Sequence, residues 1–213
     1  MNFDIPEELQ AYLAELDDFI EKEIKPLQAE NDNERFFDHR REDARTDWER
    51  GGLPNEEWEA LLHEAKRRAD AAGHYRYPMP KEYGGQEGTN LGMAIIREHL
   101  AVKGLGLHND LQNEHSIVGN NVGLLLMINY GTESQKAEWI DDLAEGRRGF
   151  AFGITEPEHG SDATHLETHA ERDGDEWVIN GDKTWNTGIH KAKYDLIFAR
   201  TSGEAGDGDG ITA

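Results

Sequence analysis

His169-Ala170-Glu171-Arg172-Asp173-Gly174-Asp175-Glu176-Trp177-Val178-Ile179-Asn180-Gly181 is the stretch that separates this chain from an all-helical protein. Asp-Gly and Asn-Gly are strong two-residue hairpin signals, because both pairs tolerate the left-handed backbone that a tight turn between strands requires. Each is flanked by short β-capable runs, so residues 169–185 are expected to form a β-meander. Further on, residues 194–200 carry Leu196, Ile197 and Phe198 as another strand, residues 202–210 form a Gly and Asp loop, and Ile211-Thr212-Ala213 begins a new strand. A sheet that stops there leaves an unpaired edge, so the β half is expected to be incomplete.

Upstream the period changes from two to that of a helix. Ile5, Leu9, Tyr12, Leu13, Leu16, Phe19, Ile20, Ile24 and Leu27 predict one long amphipathic helix, with Asp4 as its cap and Pro6, Glu7 and Glu8 in the first turn. Residues 31–50 are rich in Asp, Glu and Arg and read as a solvated excursion anchored by Phe36, Phe37 and Trp48. A second helix is expected from Asn55, burying Trp58, Leu61, Leu62, Ala65 and Ala69 and stopping at Gly73. After a connector rich in Pro and Gly, helical patterns resume over residues 90–103 and again through Ile117, Val118, Val122, Leu125 and Met127. Thr132-Glu133-Ser134-Gln135 has the capping-box form and opens a helix carrying Ala137, Ile140 and Leu143, so everything up to Gly146 reads as helical.

Composition narrows the function classes. The 213 residues contain no cysteine, which removes disulfides, thiolate metal sites and a cysteine nucleophile together. With 44 acidic against 22 basic residues the net charge is -22, a field that repels nucleic acid and anionic membranes. No window approaches the length of a membrane span and no leader pattern opens the chain, so neither membrane insertion nor nucleic-acid binding is expected and a cytoplasmic location is the default. The acid is spread along the chain over intact hydrophobic periodicity, as on a solvated surface adapted to high salt.

Four stretches, in order, resemble the acyl-CoA dehydrogenase family: Pro80-Lys81-Glu82-Tyr83-Gly84-Gly85; Gly131-Thr132-Glu133-Ser134-Gln135-Lys136-Ala137-Glu138-Trp139-Ile140; Ile154-Thr155-Glu156-Pro157-Glu158-His159-Gly160-Ser161-Asp162; and Ile179-Asn180-Gly181-Asp182-Lys183-Thr184-Trp185. The third has a physical logic of its own. Pro157 has no amide hydrogen for a ladder, so a strand leaving regular pairing there frees backbone groups near Thr155 for a ligand. Gly160 and Ser161 add close backbone approach and a hydroxyl. Taken alone, the same pattern reads first as a strand end and a turn.

The resemblance implies an α+β fold: an all-α N-terminal helical domain over residues 1–148 and a partial antiparallel β domain over 149–213. It implies FAD as cofactor, lined by Phe152, Ile154 and Thr155 with the Thr155 hydroxyl bonding the ring, and by Trp185, Asn186 and Thr187. Gly160 and Ser161 would meet the coenzyme A portion of the substrate. Asn186 departs from the family pattern, where many members have Trp-Ile-Thr-Asn against Trp185-Asn186-Thr187-Gly188 here. The implied reaction is α,β-dehydrogenation of an acyl-CoA thioester to the 2-enoyl-CoA, as in fatty acid β-oxidation, with an electron-transfer flavoprotein as acceptor and a homodimer or homotetramer as the assembly. The family's general base sits in a C-terminal region beyond these residues, so no catalytic residue is assigned and Glu156 is read as structural. An acyl-CoA oxidase, a flavin monooxygenase or a non-catalytic binding or assembly module are the alternatives on this scaffold. His159, His165 and His169 lack regular metal-ligand spacing, Asp207-Gly208-Asp209-Gly210 lacks the later glutamate of a calcium loop, and His108 and His115 read as capping or surface residues.

Overall fold

The computed structural model describes residues 4–110, 116–119, 122–145, 147–190 and 192–213, without the side chains of His39 and Glu42. His115, read above as a capping or surface residue, and Gly146, the end of the helical reading, lie outside them. The chain divides into two compact units, residues 1–146 and 147–213.

In the first unit, α1 (Glu7–Phe19) runs through a π-helical turn (Ile20–Ile24) into α2 (Lys25–Ala29). Pro26 explains the interruption: its ring would clash with the carbonyl four residues back, and the wider turn relieves that contact. The cap position falls to Pro6 rather than Asp4. Leu16, Ile20 and Ile24 are fully buried, each contributing about 1.5–3 kcal/mol relative to exposure.

Residues 30–45 form two 3-10 stretches, Glu30–Phe37 and His39–Arg45, followed by a short hairpin of β1 (Thr46–Asp47) and β2 (Leu53–Pro54). The helical expectation up to residue 146 therefore does not hold here. Phe36 is buried and Phe37 packs edge-on to Trp58, but Trp48 is 69% exposed and anchors nothing in the core. Its ring instead lies against Gly52 in the hairpin turn.

α3 (Glu56–Ala71) begins where expected, with the Asn55 side chain accepting from the Glu57 amide, and ends at Gly73 with φ +83°. Trp58, Leu61, Ala65 and Ala69 are buried and Leu62 partly so. The connector after it is packed rather than loose: Tyr77 lies 4.6 Å from Tyr12 by ring centroids, and Gly85 sits against the Met79 backbone.

α4 (Asn90–Val102) is capped by the Thr89 hydroxyl. Ile117 and Val118 are fully buried but not helical; they follow Ser116, which makes an isolated β-bridge with Asn109, and α5 spans Val122–Tyr130. α6 (Glu133–Ala144) has the full capping box, Gln135 amide to Thr132 hydroxyl and Thr132 amide to Gln135 side chain.

The second unit begins with β3 (Phe150–Gly153). β4 (His169–Asp173) and β5 (Glu176–Asn180) pair antiparallel about Gly174, whose φ is +63°. β6 (Tyr194–Ile197), β7 (Ala199–Arg200) and β8 (Ile211–Thr212) complete it. The α+β class holds, but the strands form two sheets and are not all antiparallel: β3 pairs parallel with β6, and in the order β5-β4-β7-β8 the β4–β7 pair is parallel while β4–β5 and β7–β8 are antiparallel. The single run 194–200 makes both parallel contacts, moving from β3 to β4 at Phe198. Asn180-Gly181 does not close a second hairpin. Gly181 lies against Thr168, where a Cβ would come within 2.4 Å of the hydroxyl, and the chain continues without a regular strand to residue 190.

Candidate functional site

The centre of the second unit is an ion pair. Glu156 and Lys183 are 5% and 7% exposed and 2.8 Å apart. The two carboxylate oxygens also accept the amides of Glu167 (2.6 Å) and Thr168 (2.8 Å), while Lys183 Nζ donates to the Ile154 carbonyl at 3.1 Å. Burial pushes the Glu156 carboxyl upward, but Lys183 and the amides outweigh it and hold the group down to about 2. Glu156 is thus a structural carboxylate that ties the third family-like stretch to the fourth. Glu156 is therefore not placed to exchange protons near neutral pH.

That tie sets the residues expected to meet a ligand. β3 ends at Gly153, earlier than Pro157 suggested, and the carbonyls of Ile154 and Thr155 are taken by Lys183 and by the Thr184 amide at 2.9 Å. Those backbone acceptors are engaged rather than open to a ligand. The Phe152 amide donates to the Thr187 carbonyl at 3.2 Å, and the Phe152 ring lies 5.1 Å from that of Phe198. Between these two anchors Trp185 adopts φ +59° and stands 84% exposed. A non-glycine residue in the left-handed region is strained by about 1–2 kcal/mol, so the turn persists because its flanks are held.

Asn186 faces inward. Its Nδ2 donates to Asp195 Oδ2 at 3.0 Å, and its amide occupies space left by Gly153, where a Cβ would stand 2.9 Å away. Asn186 Oδ1 and Asp195 Oδ1 are buried and have no hydrogen-bond partner in the structure. The side chain that departs from the family pattern therefore fastens the Trp185 turn to β6. Thr187 is exposed, and Phe152, Ile154 and Thr155 are half-buried, so the structure brings all six expected cofactor residues into one segment pair.

Gly160 and Ser161 are exposed at a bend after Pro157, and a Cβ on Gly160 would meet nothing within 4 Å. Beside the bend lies a cleft of about 390 Å³ that includes Glu158, Glu167 and Asp182 among its walls, an acidic lining unsuited to a phosphate. His165 pairs with Asp162 at 2.8 Å and His159 lies 3.5 Å from Glu167; among the described residues no group of three His, Asp or Glu is placed to hold a metal. No described helix is long and apolar enough to cross a membrane.

A helical unit is followed by a small β unit, and family models for two consecutive domains match most of the chain. Residues 34–147 match the acyl-CoA dehydrogenase N-terminal domain and residues 151–213 match the middle domain, so the chain belongs to the acyl-CoA dehydrogenase family. It is 30% identical over 209 residues to the glutaryl-CoA dehydrogenase of Desulfococcus multivorans, covering 97% of this chain and 46% of that protein. It is 30% identical over 198 residues to the mitochondrial short-chain specific acyl-CoA dehydrogenase of Homo sapiens, covering 93% and 41%. Among solved structures, the ChsE4-ChsE5 complex of Mycobacterium tuberculosis superposes with a TM-score of 0.66 at 26% identity, covering 99% of this chain and 46% of that one. The chain thus spans less than half the length of these relatives.

Proposed function

We propose that this chain forms the N-terminal helical domain (residues 1–148) and part of the flavin- and substrate-binding β domain (149–213) of an FAD-dependent acyl-CoA dehydrogenase. The observation that carries the flavin assignment is Trp185, a large ring held outward on a strained backbone by bonds at Thr184, Asn186 and Thr187. Flat ring cofactors are recognised by such apolar surfaces together with a few aimed donors. Trp185 and Phe152 would flank the ring, the Thr155 and Thr187 hydroxyls would donate to it, and Asn186 would fix the turn. Ser161 would donate to the coenzyme A portion, with Gly160 admitting it closely.

Bound FAD supplies the hydride acceptor for the β carbon while a carboxylate takes the α proton. Glu156 is committed to Lys183 and does not take that role, and no residue of this chain is assigned it. The same reading makes the protein cytoplasmic, active as a homodimer or homotetramer, and coupled to an electron-transfer flavoprotein.

The test is the visible spectrum of the 213-residue chain after adding FAD and removing the excess. Retained flavin is expected, with Trp185→Ala binding roughly tenfold more weakly from the loss of ring stacking. Unaltered retention in Trp185→Ala would overturn the placement of the ring. Bleaching by butyryl-CoA would show that a base does lie within these residues.

The net charge of -22 supports a further part of the proposal, adaptation of the surface to high salt. Screening weakens repulsion among carboxylates, so the thermal midpoint should climb steadily between 0.1 and 2 M KCl, added as test concentrations of about those values. A flat or falling midpoint would sink it.

A further inference from the structure

Asp195 stands on β6 in register with Ala151 of β3, and Gly153 lies two residues further along β3, so strand alternation brings Asp195 and the missing side chain of Gly153 to one face. A Cβ on Gly153 would lie 2.9 Å from Asn186 Nδ2, 3.5 Å from Asn186 Cγ and 3.4 Å from Asp195 Oδ1. The Asn186 amide therefore lies in the space that a side chain at 153 would need, and from there its Nδ2 donates to Asp195 Oδ2 at 3.0 Å. The three residues come from three separated parts of the chain, and a change at any one of them breaks the same contact.

The neighbour of that contact gives it consequence. Trp185, the residue before Asn186, holds φ +59°, a region that a non-glycine residue leaves unless its flanks are fixed. On the N-terminal side the Thr184 amide donates to the Thr155 carbonyl at 2.9 Å; on the C-terminal side the Phe152 amide donates to the Thr187 carbonyl at 3.2 Å. Both of these are main-chain bonds and are indifferent to the side chains present. The bond from Asn186 to Asp195 is the tie that side-chain identity controls, and it starts from the residue next to Trp185.

We propose that Gly153, Asn186 and Asp195 act together as a latch that positions the Trp185 turn for the flavin ring, with Asp195 as the anchor on β6. The proposal rests on the assignment of Trp185 to that ring. Asp195 and Gly153 are positioning residues and need not touch the cofactor. The latch keeps the turn in the conformation that presents the indole, so ordering the turn is not part of the cost of binding. Once it is broken, the turn visits ordinary backbone conformations, and cofactor affinity falls with the fraction of chains that remain competent.

The experiment uses the 213-residue chain labelled with 15N-tryptophan, whose five tryptophans include Trp185, its amide assigned by its loss in Trp185→Phe. The heteronuclear NOE of the Trp185 amide should match that of Trp177 in β5 and should drop in Asp195→Ala and in Gly153→Ala, while the other four tryptophans stay unchanged. FAD affinity should weaken roughly fivefold in each variant, the scale of one lost hydrogen bond, and no further when the two are combined. Asn186→Asp sets two carboxylates against each other and should be the most damaging. Adding Asp195→Asn to it reverses the bond, an amide at 195 donating to a carboxylate at 186, and should restore both the NOE and the affinity; a pair that merely fills space would show no such rescue. An unchanged Trp185 NOE in Asp195→Ala, a drop shared by all five tryptophans, or no recovery in the exchanged pair overturns the latch. A drop in the NOE with unaltered FAD affinity overturns its link to the cofactor. If Asp195→Ala does not fold, Gly153→Ala decides in its place, because the added Cβ meets the movable end of the Asn186 side chain rather than backbone. If the unaltered chain retains no flavin, the ring assignment itself fails, and the NOE series still decides whether the latch holds the turn.

Discussion

Replacing Glu156 by glutamine is expected to destabilise the β unit by about 3 kcal/mol, because it leaves the Lys183 ammonium buried without a counter-charge. Lys183 is 7% exposed and would keep only the Ile154 carbonyl and a neutral amide as acceptors. Urea unfolding followed by tryptophan fluorescence measures the loss. Lys183→Met should be similarly damaging, and the double variant should lose less than the sum of the two, the sign of a coupled pair. The pH dependence has a definite direction. The folded carboxyl titrates at about 2 against an ordinary 4.5, so its contribution is fully present above pH 4.5 and is lost as pH falls toward 2. Glu156→Gln should lack that part of the acid slope. A loss below about 1 kcal/mol would mean that water reaches the pair and screens it.

The second large effect is expected at Gly85. A Cβ there would stand 2.0 Å from the Met79 carbonyl oxygen and 2.3 Å from its carbon. Neither is the end of a flexible side chain; Met79 is fully buried and its carbonyl already accepts the Glu87 amide at 2.8 Å. Gly85→Ala must therefore move the backbone, at a penalty of about 3 kcal/mol in the overpacking range. The neighbouring Gly84 is a control. Its φ of +79° penalises alanine by about 1 kcal/mol, but the nearest atom to a Cβ is Arg76 Cδ at 3.5 Å. Thermal unfolding of the two variants should separate them clearly, and equal losses would show that Gly85 can shift without disturbing Met79.

What could be read in the sequence was local chemistry. Asn55, Thr132 with Gln135, and Gly174 each specify an interaction within a few residues, and each appears as expected. Asn180-Gly181 carries the same turn signal as Asp173-Gly174, yet Gly181 serves a close approach to Thr168 instead, a tertiary use that the dipeptide does not encode. The parallel pairs β3–β6 and β4–β7 join segments about 40 and 30 residues apart, and no local signal announces such contacts. Trp48 illustrates the reverse case: an aromatic in a polar run reads as an anchor, whereas a hairpin turn holds it in solvent. At the candidate site, the motif nominates Phe152, Ile154, Thr155, Trp185 and Thr187, and their contact with a cofactor is part of the proposal. The inward turn of Asn186 toward Asp195 depends on the missing side chain of Gly153 and could not be read from Asn186 itself.

The π-helical turn at Ile20–Ile24 bears on how this chain is compared with others. Leu16, Ile20 and Ile24 follow one another in steps of four, and in an ideal α-helix each such step would walk the buried face around the axis by about 40°. The wider turn takes that drift back, so Ile24 returns toward the side of Leu16. In evolutionary terms such a turn is a one-residue insertion accommodated without moving either helix end. Relatives that lack it should align through this segment with a single-residue gap, and their buried positions should fall out of register on one side of it.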